Sequence, residues 1–308
     1  MDAASEVTSG EDDRAVIEAI NARTGAGLIR TGRSEEGTLG GAIFVGLPDG
    51  REGVVTRFVG PLTGSGDLAV EARRTATILE LVRSRGMPVP LHHAVVVVGE
   101  DVFMVQERLP GSPLTKLTPA VLDAMIEIND RFTGLLADRP DVPTLPLCLT
   151  EGGNPYPRHE VLAGHSDRSR RILAAILAVG RELPGEPAGN DLVHIDLTPP
   201  NMLFDEEGVV TGVVDWNLGA YRGDRHLALV KARFELEWGL RSEQPSPHAV
   251  AAAERLDRIL ADRVAEPDLR RYWAHRMLYQ LHWALPFAPP EVVDWHLGVA
   301  EERLLERQ

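Results

Sequence analysis

Lysine is nearly missing from this chain. Lys116 and Lys231 are the only two among 308 residues, while arginine is abundant. A place that elsewhere takes lysine therefore falls to arginine, whose planar guanidinium needs a different geometry from a point-charge ammonium. Cysteine is scarcer still. Cys148 stands alone, so no internal disulfide can form, and nothing favours an oxidising compartment over the cytoplasm. Positive charge is also short, with 32 Lys and Arg against 46 Asp and Glu and a net charge of -14. That balance argues against a nucleic-acid partner. The surplus acid would concentrate a cationic small molecule near a cleft, and it equally serves to keep a surface soluble. No apolar run approaches the length of a bilayer span, so no membrane is expected. Met1–Asp13 is polar and acidic with no apolar centre, unlike a signal peptide.

The organisation of the chain changes near Leu109. Before it, residues 1–12 read as a disordered acidic tail, and Asp13–Arg23 as a short helix with Ala15, Ile17, Ala19 and Ile20. Leu28–Arg33, Ala42–Leu47 and Gly53–Val59 read as strands, the last two joined by a Pro48-Asp49-Gly50 turn. Asp67–Arg85 is amphipathic and stops at Gly86 and Pro88, as helices do. Val95–Val98 and Val102–Gln106 form a hairpin. Residues 13–108 are thus expected to be a small antiparallel lobe crossed by one helix. Leu109-Pro110-Gly111-Ser112-Pro113 breaks regular structure. Residues 109–308 then read as mainly helical, at Pro119–Ala137, Arg168–Glu182, Asp224–Gly239, Pro247–Ala265, Leu269–Ala284 and Glu291–Glu306. Two short strands, Met202–Phe204 and Val209–Val214, interrupt the helices.

Those two strands sit inside the most informative stretch. Val193-His194-Ile195-Asp196 is followed by Asn201 and, 14 residues beyond that, by Asp215 in Val213-Val214-Asp215-Trp216. Phosphoryl transfer from a nucleotide needs a carboxylate beside the acceptor hydroxyl and an oxygen-ligand pair that holds magnesium on the phosphates. His-x-Asp-x4-Asn followed by a strand ending in Asp provides both, with Asp196 as the base and Asn201 and Asp215 as the metal ligands. The segment from Leu192 to Trp216 resembles the catalytic core of the aminoglycoside phosphotransferase and choline kinase group, the small-molecule branch of the protein-kinase-like fold. Asp215-Trp216-Asn217 stands where protein kinases carry Asp-Phe-Gly, which argues against a protein kinase. His194 is expected to support the loop by hydrogen bonds. A His-Asp metal-dependent phosphohydrolase would need further clustered histidines. His92 and His93 lie in the first lobe, while His226, His275, His282 and His296 are scattered over predicted helices.

The resemblance implies an α+β, bilobal architecture and ATP or GTP with Mg2+ as cofactors. The Gly-rich stretch Ser34–Gly41, with Ser34, Gly40 and Gly41, would let backbone N–H groups approach phosphate oxygens. Arg57 stands where the family often has lysine, and Glu71 on the next helix is the matching carboxylate. Alternation puts Val55 and Arg57 on one face of their strand and Val54, Thr56 and Phe58 on the other. Met104–Gly111 resembles the inter-lobe linker. Backbone groups of Glu107 and Leu109 would meet the nucleotide base there, with Ile43, Val55 and Leu203 around its ring. Asp224 is expected to cap the next helix. Glu235, Glu237, Trp238 and Trp295 combine acid and aromatic groups that could bind an aminated or ring-shaped acceptor, and they equally suit a helical core with acids facing water. The expected protein is a small-molecule O-phosphotransferase, monomeric or homodimeric, with an aminoglycoside as leading acceptor. A sugar, a choline-like amine or a nucleoside-type antibiotic are the alternatives, and a catalytically silent kinase-like binding protein is another.

Overall fold

The computed structural model describes residues 3–34, 41–60, 66–114, 116–153, 157–185, 189–242 and 244–305. In chain order the elements begin with α1 (Ala3–Thr24), β1 (Ile29–Arg33), β2 (Ile43–Gly46), β3 (Glu52–Phe58), α2 (Leu68–Ser84), β4 (His92–Val98) and β5 (Asp101–Glu107). Then come β6 (Ser112–Pro113), α3 (Pro119–Arg131), α4 (His159–His165), α5 (Asp167–Glu182), β7 (Asp191–Val193), β8 (Met202–Phe204), β9 (Val210–Val213) and β10 (Tyr221–Gly223). The chain closes with α6 (Leu227–Glu235), α7 (Glu237–Leu240), α8 (Pro247–Arg263), α9 (Glu266–Phe287) and α10 (Pro290–Leu304). The first helix starts earlier than its apolar residues announce. Residues 3–12, expected as a tail, continue it.

The chain divides into two compact units. One comprises Met1–Pro61, Gly66–Ser112 and Leu203–Gly219, and the other chiefly Pro113–Met202 and Ala220–Gln308. The β8–β9 hairpin therefore belongs mostly to the first unit, not to the helical part beginning at residue 109. The first unit is built on a five-stranded antiparallel sheet in the order β1-β2-β3-β5-β4. Residues facing each other across neighbouring strands share a side of the sheet. Ile43, Val55 and Val105 are one such row, and they pack with Ile17 and Ile20 of α1 in a single apolar cluster. Asp13 of α1, almost fully buried, accepts hydrogen bonds from Arg30 and Arg33 of β1 and so anchors the helix to the sheet. One residue along, Phe44, Val54 and Gln106 form a row on the opposite side, as do Thr56 and Met104. There Phe58 and Met104 pack on Ala69 and Ala72 of α2.

The hairpin is tied into the first unit by short bonds. Val213 N–H donates to Pro88 O at 2.7 Å and the Thr211 hydroxyl to Pro110 O at 2.6 Å. Gly111 makes this approach possible. Its φ is 99°, and a Cβ there would sit 2.4 Å from Thr211 Oγ1 and 2.7 Å from Phe204 O.

The second unit is helical around α9, which packs against α4, α5, α6 and α10. Every residue from Tyr272 to Leu278 is buried, so this helix is covered on all sides. Helix α3 ends at Arg131 rather than running to Ala137. Beyond it the backbone turns at Gly134, with φ 63°, and bonds to the strand instead: Leu192 N–H donates to Phe132 O, Gly134 N–H to the Asp191 carboxylate, and Leu136 N–H to Asn190 O. Strand β7 pairs antiparallel with β10, Val193 opposite Tyr221 and Asp191 opposite Gly223. This two-stranded ladder positions the loop that follows β7.

Two outcomes follow. A Cβ on Gly189 would stand 2.1 Å from the backbone carbon of Gly223, which no side-chain adjustment relieves. Gly189→Ala should therefore lower stability by about 2–4 kcal/mol, above the usual cost of core overpacking. The check is a shifted denaturant midpoint at unchanged m value. The second concerns His275, whose Nδ1 bonds Leu147 O at 2.9 Å. Burial, aided by the adjacent Arg276 charge, pushes its pKa from 6.5 down to about 4. The unfolded chain binds this proton near pH 6.5 and the folded chain only near pH 4. Stability from this group is complete above the first value and falls as pH drops between the two. His275→Gln should flatten that part of the profile in denaturation midpoints measured across this range.

Candidate active site

His194, Asp196 and Asn201 converge in the second unit. Strand β7 ends at Val193, and a 3-10 turn at Pro199–Asn201 brings the chain back on itself. The Asn201 amide nitrogen donates to Asp196 O at 2.8 Å and to Asp196 Oδ2 at 3.3 Å. His194 is buried, and its Nδ1 accepts from the Asp196 N–H at 3.1 Å. That bond joins its ring to the loop backbone. Arg276 of α9, also buried, donates to Ile195 O at 3.0 Å. The Asp196 side chain remains 35% exposed, and Lys231 Nζ lies 3.3 Å from its Oδ1. Partial burial works to raise the Asp196 pKa, but the charges of Lys231, Arg276 and His194 outweigh it and hold the group below its ordinary value. The result is an ionised, oriented carboxylate with part of its surface open, which is what a general base requires.

Asp215 is placed by the first unit. Its φ is 62°, a left-handed conformation that Asp tolerates better than most residues. Asn217 Nδ2 donates to its Oδ1 at 2.7 Å, and Asn217 O accepts the N–H groups of Val59 and Gly60 just past β3. Trp216 is buried and donates from its indole to Val213 O at 2.9 Å, locking the strand end. Asp215 itself stays exposed. Asn201 and Asp215 are hard oxygen donors of the kind magnesium takes. The Asn201 amide nitrogen is committed to Asp196, so its carbonyl oxygen is the atom suited to a cation. Among the described residues no three His, Cys, Asp or Glu side chains gather as a metal site, so the clustered histidines a phosphohydrolase would need are not assembled there.

The nucleotide-site expectations need several corrections. Arg57 does not meet Glu71. It lies opposite Phe103, on the α1 side of the sheet, and pairs with Asp101 at 2.6 Å, whereas Glu71 sits on α2 and pairs with Arg74 at 2.8 Å. Ile43 and Val55 are sealed in the core under α1 and are unavailable to a ligand. The alternation was readable, but not which side α1 would cover. A one-residue offset along a strand reverses the face. Half-buried apolar side chains on the α2 side include Phe44 and Val54, with the Arg108 guanidinium 4.3 Å from the centre of the Phe44 ring.

Glu107 donates its N–H to Leu91 O, and its carboxylate is held by Arg83, so neither is spare for a nucleotide base. Leu109 and Leu203 do come together, both against Gly212, where a Cβ would lie 2.9 Å and 3.0 Å from their Cδ1 atoms. Ser34 N–H bonds Ala42 O at 2.8 Å, and Gly41 has φ 65°, as a glycine turn requires. Gly40 lies outside the described residues.

The acceptor candidates divide. Glu237 is buried, and its carboxylate is held by Arg233, Arg241 and Arg303 from α6, the end of α7 and α10. Burial opposes its ionisation, and the arginines more than compensate. It is a structural hub and not a substrate ligand. Glu235 is 43% exposed but engaged by Lys231. Trp238 is exposed and stands 5.1 Å from Trp295, which also meets Phe234 edge-on at 5.7 Å. Asp224 is fully used, accepting from His226 N–H at 2.9 Å and from the Tyr272 hydroxyl at 2.8 Å just before α6 begins. Lys231, which the motif reading passed over, was marked in the sequence only by the rarity of lysine.

The model of the phosphotransferase enzyme family APH matches residues 41–232, more than half the chain, and the chain belongs to that family. It is thus a phosphotransferase enzyme. No curated protein sequence matches it. Solved structures similar to it include aminoglycoside phosphotransferase APH(4)-Ia, at 18% identity and TM-score 0.58 over 97% of this chain and 98% of that one. Another is an aminoglycoside-3'-phosphotransferase of type VIII, at 24% identity and TM-score 0.57 over 85% and 98% of the two chains. A third is APH(3'')-Id from Streptomyces rimosus in complex with ADP and streptomycin, at 16% identity and TM-score 0.53 over 87% and 98%. At these identities the likeness establishes the α+β, protein-kinase-like fold.

The separated partners of Arg57 and Glu71 generate an outcome opposite to that of a clamp. In a double-mutant cycle on the nucleotide KM, Arg57→Ala and Glu71→Ala should add to within about 0.5 kcal/mol. Coupling clearly above that would show that the two side chains meet during turnover.

Proposed function

We propose that this enzyme transfers the γ-phosphoryl group of ATP to a hydroxyl of a small, ring-bearing acceptor. The observation that carries the reading is the Asp196 carboxylate. It is ionised, partly open, and gripped by Asn201 and Lys231 at the end of a loop braced by His194 and Arg276. In the role assigned here, Asp196 orients the acceptor hydroxyl and takes its proton as the phosphorus–oxygen bond forms. ADP then leaves with the electron pair of the broken bond. Magnesium, held by Asn201 and Asp215, would supply neutralisation of phosphate charge. Phe44 and Val54 replace Ile43 and Val55 as the apolar side chains offered to the nucleotide base, and Leu109 and Leu203 are kept as further candidates. GTP is the alternative donor.

Aminoglycosides lead among acceptors because similar structures carry that name, one in complex with streptomycin. The net charge of -14 supports a cationic acceptor. The fate of the two acids favours a second reading. With Glu237 buried and Glu235 held by Lys231, the remaining recognition candidates are Trp238 and Trp295, whose paired rings suit an uncharged sugar or nucleoside ring as well as an amino sugar. No helix among the described residues is long and apolar enough to cross a membrane. A nucleotide-consumption screen over aminoglycosides, neutral sugars, nucleosides and amino alcohols decides among these.

With the acceptor found, Asp196→Asn should lower turnover by about 10²–10⁴ while nucleotide binding persists. Wild-type turnover in that variant would remove Asp196 from the base role. Asp215→Asn keeps a residue tolerant of the left-handed backbone and removes the charge. It should weaken nucleotide binding only when magnesium is present, and equal weakening without the metal would contradict the assigned role.

A further inference from the structure

The chain has two lysines, and one of them lies against the Asp196 carboxylate. Lys116 is exposed, whereas the Lys231 side chain is only 11% exposed. Its ammonium stands 3.3 Å from Asp196 Oδ1 and also contacts Glu235, which is one turn further along α6. A buried ammonium is costly unless it is paired, so its two carboxylate partners account for its survival there. Arginine fills almost every other cationic position in this sequence. A compact ammonium at this one place is therefore a departure from the chain's own habit.

The groups facing Asp196 divide by element. The 3-10 turn contributes Asn201, whose amide donates to Oδ2 at 3.3 Å. Helix α6 contributes Lys231, on Oδ1. Helix α9 contributes Arg276, which bonds the neighbouring carbonyl of Ile195, and His194 receives the Asp196 N–H. Rotation about the terminal torsion of an aspartate is weakly restrained by its own sterics. Two grips, one on each oxygen, supply the missing restraint.

We propose that Lys231 is a positioning residue of the phosphoryl transfer. It holds the plane of the Asp196 carboxylate against the Asn201 amide, and Glu235 keeps the ammonium at its post. The proposal rests on the reading of Asp196 as the base toward an acceptor hydroxyl.

Two experiments on the full chain test it. The first needs no activity. In protein labelled with ¹⁵N at the lysine Nζ, the chain's two lysines contribute one signal each, and Asp196→Asn should move that of Lys231 while leaving that of Lys116 in place. An unmoved Lys231 signal overturns the proposal. The second is kinetic, using Mg-ATP and an acceptor found in the screen. Lys231→Met should lower kcat by about 10- to 100-fold, the usual cost of misplacing a reacting group by about 1 Å. The KM for ATP and the Tm should be close to wild type. Lys231→Arg should recover part of kcat, because a cation returns with imperfect geometry. A fall in Tm and in kcat that arginine does not relieve would make Lys231 merely structural and overturn the proposal. Unchanged kcat in Lys231→Met beside an active wild type overturns it alone. A wild type that turns over Mg-ATP with no hydroxylated acceptor overturns the phosphotransfer reading, and this proposal with it.

Discussion

A carboxylate that is to receive a proton must be charged, aimed and reachable together, and folding works against all three. Removing it from water raises its pKa, leaving it in water loses its orientation, and packing around it closes access. In the role proposed for it, Asp196 meets this conflict with cations and a local amide. Lys231 and Arg276 keep the charge, Asn201 and the β7 loop keep the direction, and a third of the side chain stays open. Much of the second unit follows from this arrangement. Helix α9 must run through the centre for Arg276 to reach the loop, and α6 must begin after Asp224 for Lys231 to face it. The Tyr272 hydroxyl of α9 bonds Asp224, the residue that follows β10.

The same unit shows how an acidic chain disposes of its charge. Glu237 spends its ionisation on Arg233, Arg241 and Arg303, and Asp191 on Arg225 and the N–H of Gly134. These carboxylates stabilise helix junctions. A net charge of -14 thus overstates the acid offered to a substrate. Trp238 and Trp295 meet beside this network without spending charge on it.

What could be read from the sequence was local. His194, Asp196 and Asn201 lie within a few residues, so the turn that joins them is dictated by the intervening chain, which brings the three side chains together. The strands around Pro48-Asp49-Gly50 and the α2 helix were legible for the same reason. The failures at the site are tertiary. Whether Val55 or Val54 faces a ligand depends on α1 reaching across the sheet, and the anchor for that, Asp13 with Arg30 and Arg33, joins residues far apart in the chain. Glu237 looked like a ligand because Arg303, one of its partners, is distant in sequence. Even so, Arg233 and Arg241, each four residues away, were already a warning. The hairpin Leu203–Gly219 could not be assigned to its unit from sequence, because its bonds to Pro88 and Pro110 are long-range.

Direct transfer of a phosphoryl group to a hydroxyl is what the Asp196 site is proposed to do. The most direct measurement is ³¹P NMR of the full chain with Mg-ATP and each acceptor class in turn. A new phosphomonoester resonance should grow in step with ADP for at least one hydroxylated ring compound. Conversion of ATP to ADP and inorganic phosphate alone, or a product with phosphorus bonded to nitrogen, would contradict it.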